Sequence, residues 1–163
     1  MENEFWDIIG KAKDLSDDYD GRPENLKSIL TKLSPEKIIQ FKDHYYTKLA
    51  NSYRWDLWGA AYTINGGCSD DGFDYWCDFL ISEGKSVYEN ALENPESLAE
   101  LEDIEDAELE DFRYAIEDAY TELTGNEFPS FTVNRSPEPI GDQWDEDNLS
   151  ELYPKLNAKY GNV

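Results

Sequence analysis

Apolar residues recur at three- and four-residue intervals along most of the chain, which is the spacing of amphipathic helices. The only strand-like stretch, Phe131-Thr132-Val133, is too short to imply a sheet. We therefore expect an all-α fold, a compact single-domain bundle of about seven helices. The predicted helices cover residues 3–15, 23–33, 35–49, 53–64, 71–83, 85–92, the acidic stretch up to 124, and a short segment after 148.

The stretch from Trp55 to Ile81 is the most apolar and aromatic part of the chain. Residues 53–64 are apolar nearly all round, which is typical of a buried helix. Gly66 stands where a left-handed residue would end that helix, and an acidic loop then starts the next one. We expect the helices 53–64 and 71–83 to form a hairpin at the centre of the domain.

The C-terminal part, residues 127–163, has a different character. Residues 128–142 contain three prolines and show no periodicity. We expect a loosely structured, loop-rich tail that packs on the helical domain, so that residues 1–163 form one domain.

The charge narrows the possible partners. The chain has 37 acidic residues against 14 basic ones, a net charge of −23, and residues 100–122 carry a carboxylate face. Nucleic acids and anionic membranes bind through lysine and arginine, so the charge disfavours both. A basic protein is the partner that the charge allows. With no signal peptide, no membrane-spanning stretch and two cysteines expected to be free, we expect a cytoplasmic location.

Three carboxylates lie close together at the start of the second core helix, and they form the first candidate site. Asp70, Asp71 and Asp74 have the hard oxygen ligands that Ca²⁺ or Mg²⁺ prefer, but their spacing does not match an EF-hand. The interpretation that we favour is structural: Ser69, Asp70 and Asp71 cap the free N–H groups of the helix and complement its dipole.

Asp56 is unusual because it lies within the most apolar helix. A buried carboxylate must be hydrogen-bonded. We expect Asp56 to accept from backbone N–H groups of the turn 66–68, while the alternative is an acid with a raised pKa in a pocket with Asp70 or Asp71. Trp55 and Trp58 are candidate binding residues beside it, although aromatic residues at helical spacing more often belong to the core.

Other chemistry is poorly supported by the residues. His44 is the only histidine, and no nucleophile motif accompanies Cys68 or Ser69. We expect His44 to be a partly exposed helix residue. One histidine and two cysteines do not make a transition-metal site, so we predict no catalytic residue, no bound metal and no cofactor.

The opening FWDIIGKAKD and the core WDLWGAAYTINGGCSDDGFDYWCDFLI resemble a bacterial family, the domain of unknown function 4240. The resemblance continues through residues 94–98, the Ala119-Tyr120 pair, Gly141 to Trp144, and Leu152-Tyr153-Pro154. It implies a mainly helical domain without an established activity, and it implies no catalytic residues.

Two functions remain open. The first is a non-enzymatic binding or regulatory protein that meets a basic partner through the 100–122 carboxylate face. The alternative is a metal-assisted hydrolase that uses Asp56, Asp70, Asp71 and Asp74.

Overall fold

The all-α prediction is confirmed by the computed structural model, which describes residues 2–130 and 135–161. Seven α-helices of nine residues or more and two shorter ones follow in order, and the described residues form no strand. The helices are α1 (Glu2–Asp14), α2 (Arg22–Leu30), α3 (Pro35–Ser52), α4 (Trp55–Asn65), α5 (Asp70–Ser82), α6 (Lys85–Glu93), α7 (Glu110–Thr124), α8 (Leu149–Leu152) and α9 (Pro154–Tyr160). The predicted strand-like triplet at 131–133 lies outside the described residues.

Short polar residues and glycines set the helix ends, as the sequence predicts. Ser34 caps α3 by accepting from the Lys37 backbone N–H at 3.3 Å. Gly66 ends α4 with φ of 66°, and Gly125 ends α7 with φ of 73°. Both conformations are left-handed, which glycine adopts without the steric cost of a Cβ.

The central helix is α5 rather than the α4–α5 pair. It contacts α1, α3, α4, α6 and α7, and its apolar stripe is buried. By contrast, α4 packs chiefly against the C-terminal helix α9. The prediction of a central hairpin is therefore correct for its second helix, whereas its first helix lies to one side, beneath the C-terminal segment.

The acidic stretch does not form one long helix. Residues 101–109 are irregular, and α7 begins only at Glu110. Backbone N–H groups of this loop bond to distant groups: Asp106 donates to Asn65 Oδ1 at 2.8 Å, and Leu109 donates to the Tyr75 carbonyl at 3.0 Å. Because these N–H groups are satisfied by tertiary partners, the loop needs no helical bonds of its own.

A buried polar cluster joins three helices in the core. Asp78 of α5 is fully buried and accepts from the Tyr45 hydroxyl of α3 at 2.6 Å. Its other oxygen accepts from Arg113 of α7 at 2.8 Å. Burial raises the pKa of Asp78 to about 7, although Arg113 and Tyr45 each lower it.

Arg113 keeps its charge in this setting. Burial lowers the pKa of Arg113, but the charge and hydrogen bond of Asp78, together with Tyr45 and Asp74, raise it by more in sum, so that it lies above its usual range. Arg113 also donates to the Asp74 carbonyl at 3.2 Å, one turn earlier on α5. Both contacts fix α7 against the same face of α5.

No helix among the described residues is long and apolar enough to span a bilayer. Both cysteines are free, as expected: Cys77 is buried in the core and Cys68 is partly exposed.

The raised pKa of Asp78 predicts a pH dependence of stability. An unfolded aspartate titrates near pH 4, so between about pH 4 and 7 the folded chain binds the extra proton. This contribution to stability is complete below pH 4 and is lost as the pH rises through 7. Relative to an Asp78→Asn variant, the wild-type chain should lose roughly 2–3 kcal/mol of unfolding free energy between pH 5 and 8.

Urea unfolding of the two chains at four pH values across this range provides the measurement. The other carboxylates are common to both chains and cancel in the difference. A difference that stays constant with pH would contradict the prediction.

Candidate functional site

Three rings from α4 line an open groove on the surface, and they belong to Trp55, Trp58 and Tyr62. Trp55 and Trp58 lie nearly parallel, 5° apart, with ring centres 5.2 Å from each other. Trp58 stacks in turn on Phe73, whose ring is 5.4 Å away, and Phe73 packs on the buried Trp76. The stack of rings runs from the surface into the core, so the groove wall has a rigid support.

The opposite wall comes from a C-terminal segment, residues 135–144, which we call the strap. Ile140 exchanges backbone hydrogen bonds of 2.9 Å with Tyr53 and Trp55. Four residues later, the Trp144 indole N–H donates to the Trp55 carbonyl at 2.7 Å. These bonds place the Trp144 ring nearly perpendicular to both Trp55 and Trp58.

Carboxylates form the rim of the groove. The open space is about 790 Å³. Its lining residues are Trp55, Trp58, Tyr62, Cys68, Gln143, Trp144, Asp145, Glu146 and Asp147. The rim acids Asp145, Glu146 and Asp147 are all exposed, whereas the indoles are half-buried. The site therefore combines fixed aromatic surfaces with solvated negative charge.

The turn 66–68, which we call the glycine turn, lies at the end of this groove and is hydrogen-bonded to Trp58. The Trp58 indole N–H donates to the Cys68 carbonyl at 2.9 Å. We expected Asp56 to bind this turn, and that prediction is wrong. Asp56 instead accepts two hydrogen bonds from Arg54, at 3.0 and 2.7 Å, and its side chain is 40% exposed.

The acidic residues at the start of α5 do not share one partner, because each makes a separate contact. Ser69 caps the helix by accepting from the Gly72 N–H at 3.0 Å. Asp74 pairs with Arg135 of the strap at 2.6 Å, and Asp70 accepts a long hydrogen bond, 3.4 Å, from the Tyr53 hydroxyl. Asp71 is exposed in the first turn, where its charge complements the helix dipole.

The four aspartates of the hydrolase hypothesis are therefore not assembled into one centre. Within residues 2–130 and 135–161, no group of three or more potential ligands lies close enough to hold a metal ion.

A second set of acids borders the glycine turn. A Cβ built on Gly72 would lie 3.3 Å from the Glu108 carboxylate, so the irregular loop 101–109 reaches the start of α5. Burial, and then the charges of Glu108 and Asp70, raise the pKa of Cys68 to about 12. The Cys68 thiol is thus protonated at neutral pH and is a poor nucleophile. His44 lies half-buried on α3, as predicted.

Sequence reasoning missed several residues of this region. Trp144 and Glu146 lie about ninety positions after the α4 rings, and Asp78 interrupts the apolar stripe of α5. A signal was present for Trp144, since it is a lone indole within the polar run GDQWDED. A large apolar ring among acids needs a surface to pack on.

The family comparison agrees with the motifs. Residues 1–122 match the family described as protein of unknown function (DUF4240), and the chain belongs to that family. The match contains α4, the glycine turn and α5, but it ends before the strap. The tail motifs that we also compared to the family thus lie beyond the matched residues. No curated protein and no solved structure matches the chain.

Close packing behind the groove predicts opposite effects for two glycine substitutions. A Cβ on Gly59 of α4 would lie 2.7 Å from the Tyr153 hydroxyl and 3.0 Å from the Trp144 ring, whereas one on Gly10 of α1 meets no atom within 4 Å. Gly59→Ala should lower the unfolding free energy by about 1–3 kcal/mol. Gly10→Ala should raise it by up to about 1 kcal/mol, because alanine favours the helix.

Urea unfolding of both variants gives the measurement. Equal stabilisation by the two alanines would show that Tyr153 and Trp144 do not press on α4 as described.

Proposed function

We propose that this protein is a non-enzymatic binding module that takes a basic segment of a partner protein in the aromatic groove. The observation that carries the proposal is the pairing of half-buried indoles with exposed carboxylates in one open groove. A basic side chain can place its apolar stem on the rings and its charge at the rim. The rings alone would not select a basic segment, and the rim alone would attract its charge but offer its stem no apolar surface.

The charge distribution around the groove supports the proposal. The rim acids line the groove, and the charges of Glu108 and Asp70 act on Cys68, which lines it as well. The loop 101–109, which carries Glu108, presents four further exposed acids, Glu102, Asp103, Glu105 and Asp106. A field of one sign attracts a basic partner and accelerates its association at low salt.

The hydrolase alternative gains no support from the contacts of its aspartates. Asp56 and Asp74 are each engaged by an arginine, and an arginine next to a carboxylate competes with a cation for its oxygens. We expect the melting temperature to be the same in Ca²⁺, Mg²⁺ or Mn²⁺ as in NaCl of matched ionic strength. A metal-specific rise measured by differential scanning fluorimetry would favour the alternative.

The binding proposal predicts that neutralising the rim acids weakens the binding of a basic peptide. The rim variant combines Asp145→Asn, Glu146→Gln and Asp147→Asn. Asparagine at 145 keeps an acceptor for the Asp147 N–H, which Asp145 now caps at 3.0 Å. The probe is a nine-residue synthetic peptide with alternating glycine and Lys or Arg, titrated by calorimetry in 50 mM salt. We expect about tenfold weaker binding, from three charges at roughly 0.5 kcal/mol each.

A matched control removes three charges elsewhere. It combines Asp7→Asn, Glu36→Gln and Glu89→Gln. These three acids are exposed on α1, α3 and α6. Both triple variants change the net charge from −23 to −20, so their long-range effects are alike. The control should bind within about twofold of wild type, as expected for isolated surface charges. Equal losses in both variants, or no binding by the wild-type chain, would overturn the proposal.

A further inference from the structure

The polar groups of the aromatic groove are mostly acceptors. The Trp58 indole N–H is used by the Cys68 carbonyl, and that of Trp144 by the Trp55 carbonyl. The Trp58 and Trp144 rings therefore offer aromatic surface and no free donor, so that the Trp55 indole N–H and the Gln143 amide are the side-chain donors left at the groove. The rim carboxylates only accept hydrogen bonds when ionised. A ligand rich in donors and lacking acceptors is the best complement to such a set.

Tyr62 fits the same description. Desolvation, and then a hydrogen bond to Glu146 and its charge, raise the pKa of Tyr62. The phenol is thus protonated at neutral pH, and the nearby carboxylate of Glu146 favours that form. A sugar presents acceptors as well as donors, and beyond Trp55 and Gln143 the lining side chains have few donors to pair with those acceptors.

The shape of the wall favours a planar donor. Trp55 and Trp58 lie within 5° of parallel, and Trp144 stands across them. A flat group can lie on an indole face while its edge reaches the carboxylates. Guanidinium is flat, carries five N–H donors and no acceptor, and stacks on aromatic rings, whereas the ammonium of lysine is a compact, strongly hydrated point charge.

The chain itself already uses this combination nearby. The guanidinium of Arg135 lies 3.7 Å from the centre of the Tyr53 ring, and it pairs with the Asp74 carboxylate at 2.6 Å. One face of the cation is thus covered by a ring, and its edge is met by a carboxylate. The groove offers the same two partners for a guanidinium, a ring face and a carboxylate.

We infer that the groove is an arginine-selective site, in which one arginine of the basic partner stacks on Trp55 and pairs with the rim acids. The inference rests on the proposed function and specifies the side chain that anchors the partner. Lysine would keep the charge attraction but lose the stacking.

Two peptides of equal charge test the selectivity. They are acetylated, amidated nonapeptides with three Arg-Gly-Gly or three Lys-Gly-Gly repeats, titrated by calorimetry against the full chain. The arginine peptide should bind about fivefold tighter. Trp55→Leu should abolish this preference, and Trp55→Phe should keep part of it. Tyr114→Leu is the matched control, since Tyr114 is 45% exposed beside Glu110 on α7, away from the groove.

The outcomes separate the two proposals. Equal binding of both peptides, with weakening by the rim variant, would overturn the arginine selectivity and leave the proposed function standing. A preference that survives in Trp55→Leu, while circular dichroism shows a folded chain, would also overturn it. Binding of neither peptide would overturn both proposals. Both would also be overturned if a neutral oligosaccharide such as cellohexaose quenched the tryptophan fluorescence and neither peptide did.

Discussion

The Asp78 carboxylate is the constraint on which the arrangement of the helices depends. It lies at full burial on the central helix, and it is satisfied only when Tyr45 of α3 and Arg113 of α7 are both in place. An uncompensated polar group at such a site is costly, so packings that separate these three helices are penalised. Arg113 then reaches the Asp74 carbonyl, and the Asp74 side chain holds Arg135 of the strap. A chain of polar contacts thus links the core to one wall of the groove.

Local signals in the sequence predict the helix ends well. Ser34 and Gly66 act within a few residues of the backbone groups that they satisfy, so their roles can be read without the fold. Asp56 shows the limit of this reasoning. Its apolar neighbours suggested burial, but Arg54 lies two positions earlier and takes both of its oxygens. A nearby opposite charge outweighs the average hydrophobicity of the segment.

The features that sequence reasoning missed depend on distant partners. We predicted a helix over the acidic stretch, yet residues 101–109 are irregular and N–H groups there bond to Asn65, Tyr75 and Tyr160. The residues of the candidate groove also differ in whether they could be predicted. Trp55 and Trp58 could be named from their own helix, whereas Trp144 joins them only because the strap pairs with the start of α4.

The strap is attached to α4 mainly through backbone hydrogen bonds at Ile140 and one indole N–H. Backbone bonds do not depend on side-chain identity. The residues after Trp144 can therefore vary in charge and size while the strap keeps its course and the core keeps its packing. The family match ends at residue 122, before this segment. The groove thus joins one wall that lies within the family match to a second wall beyond it, and the charge and size of the second wall's side chains can change without a change in the core packing.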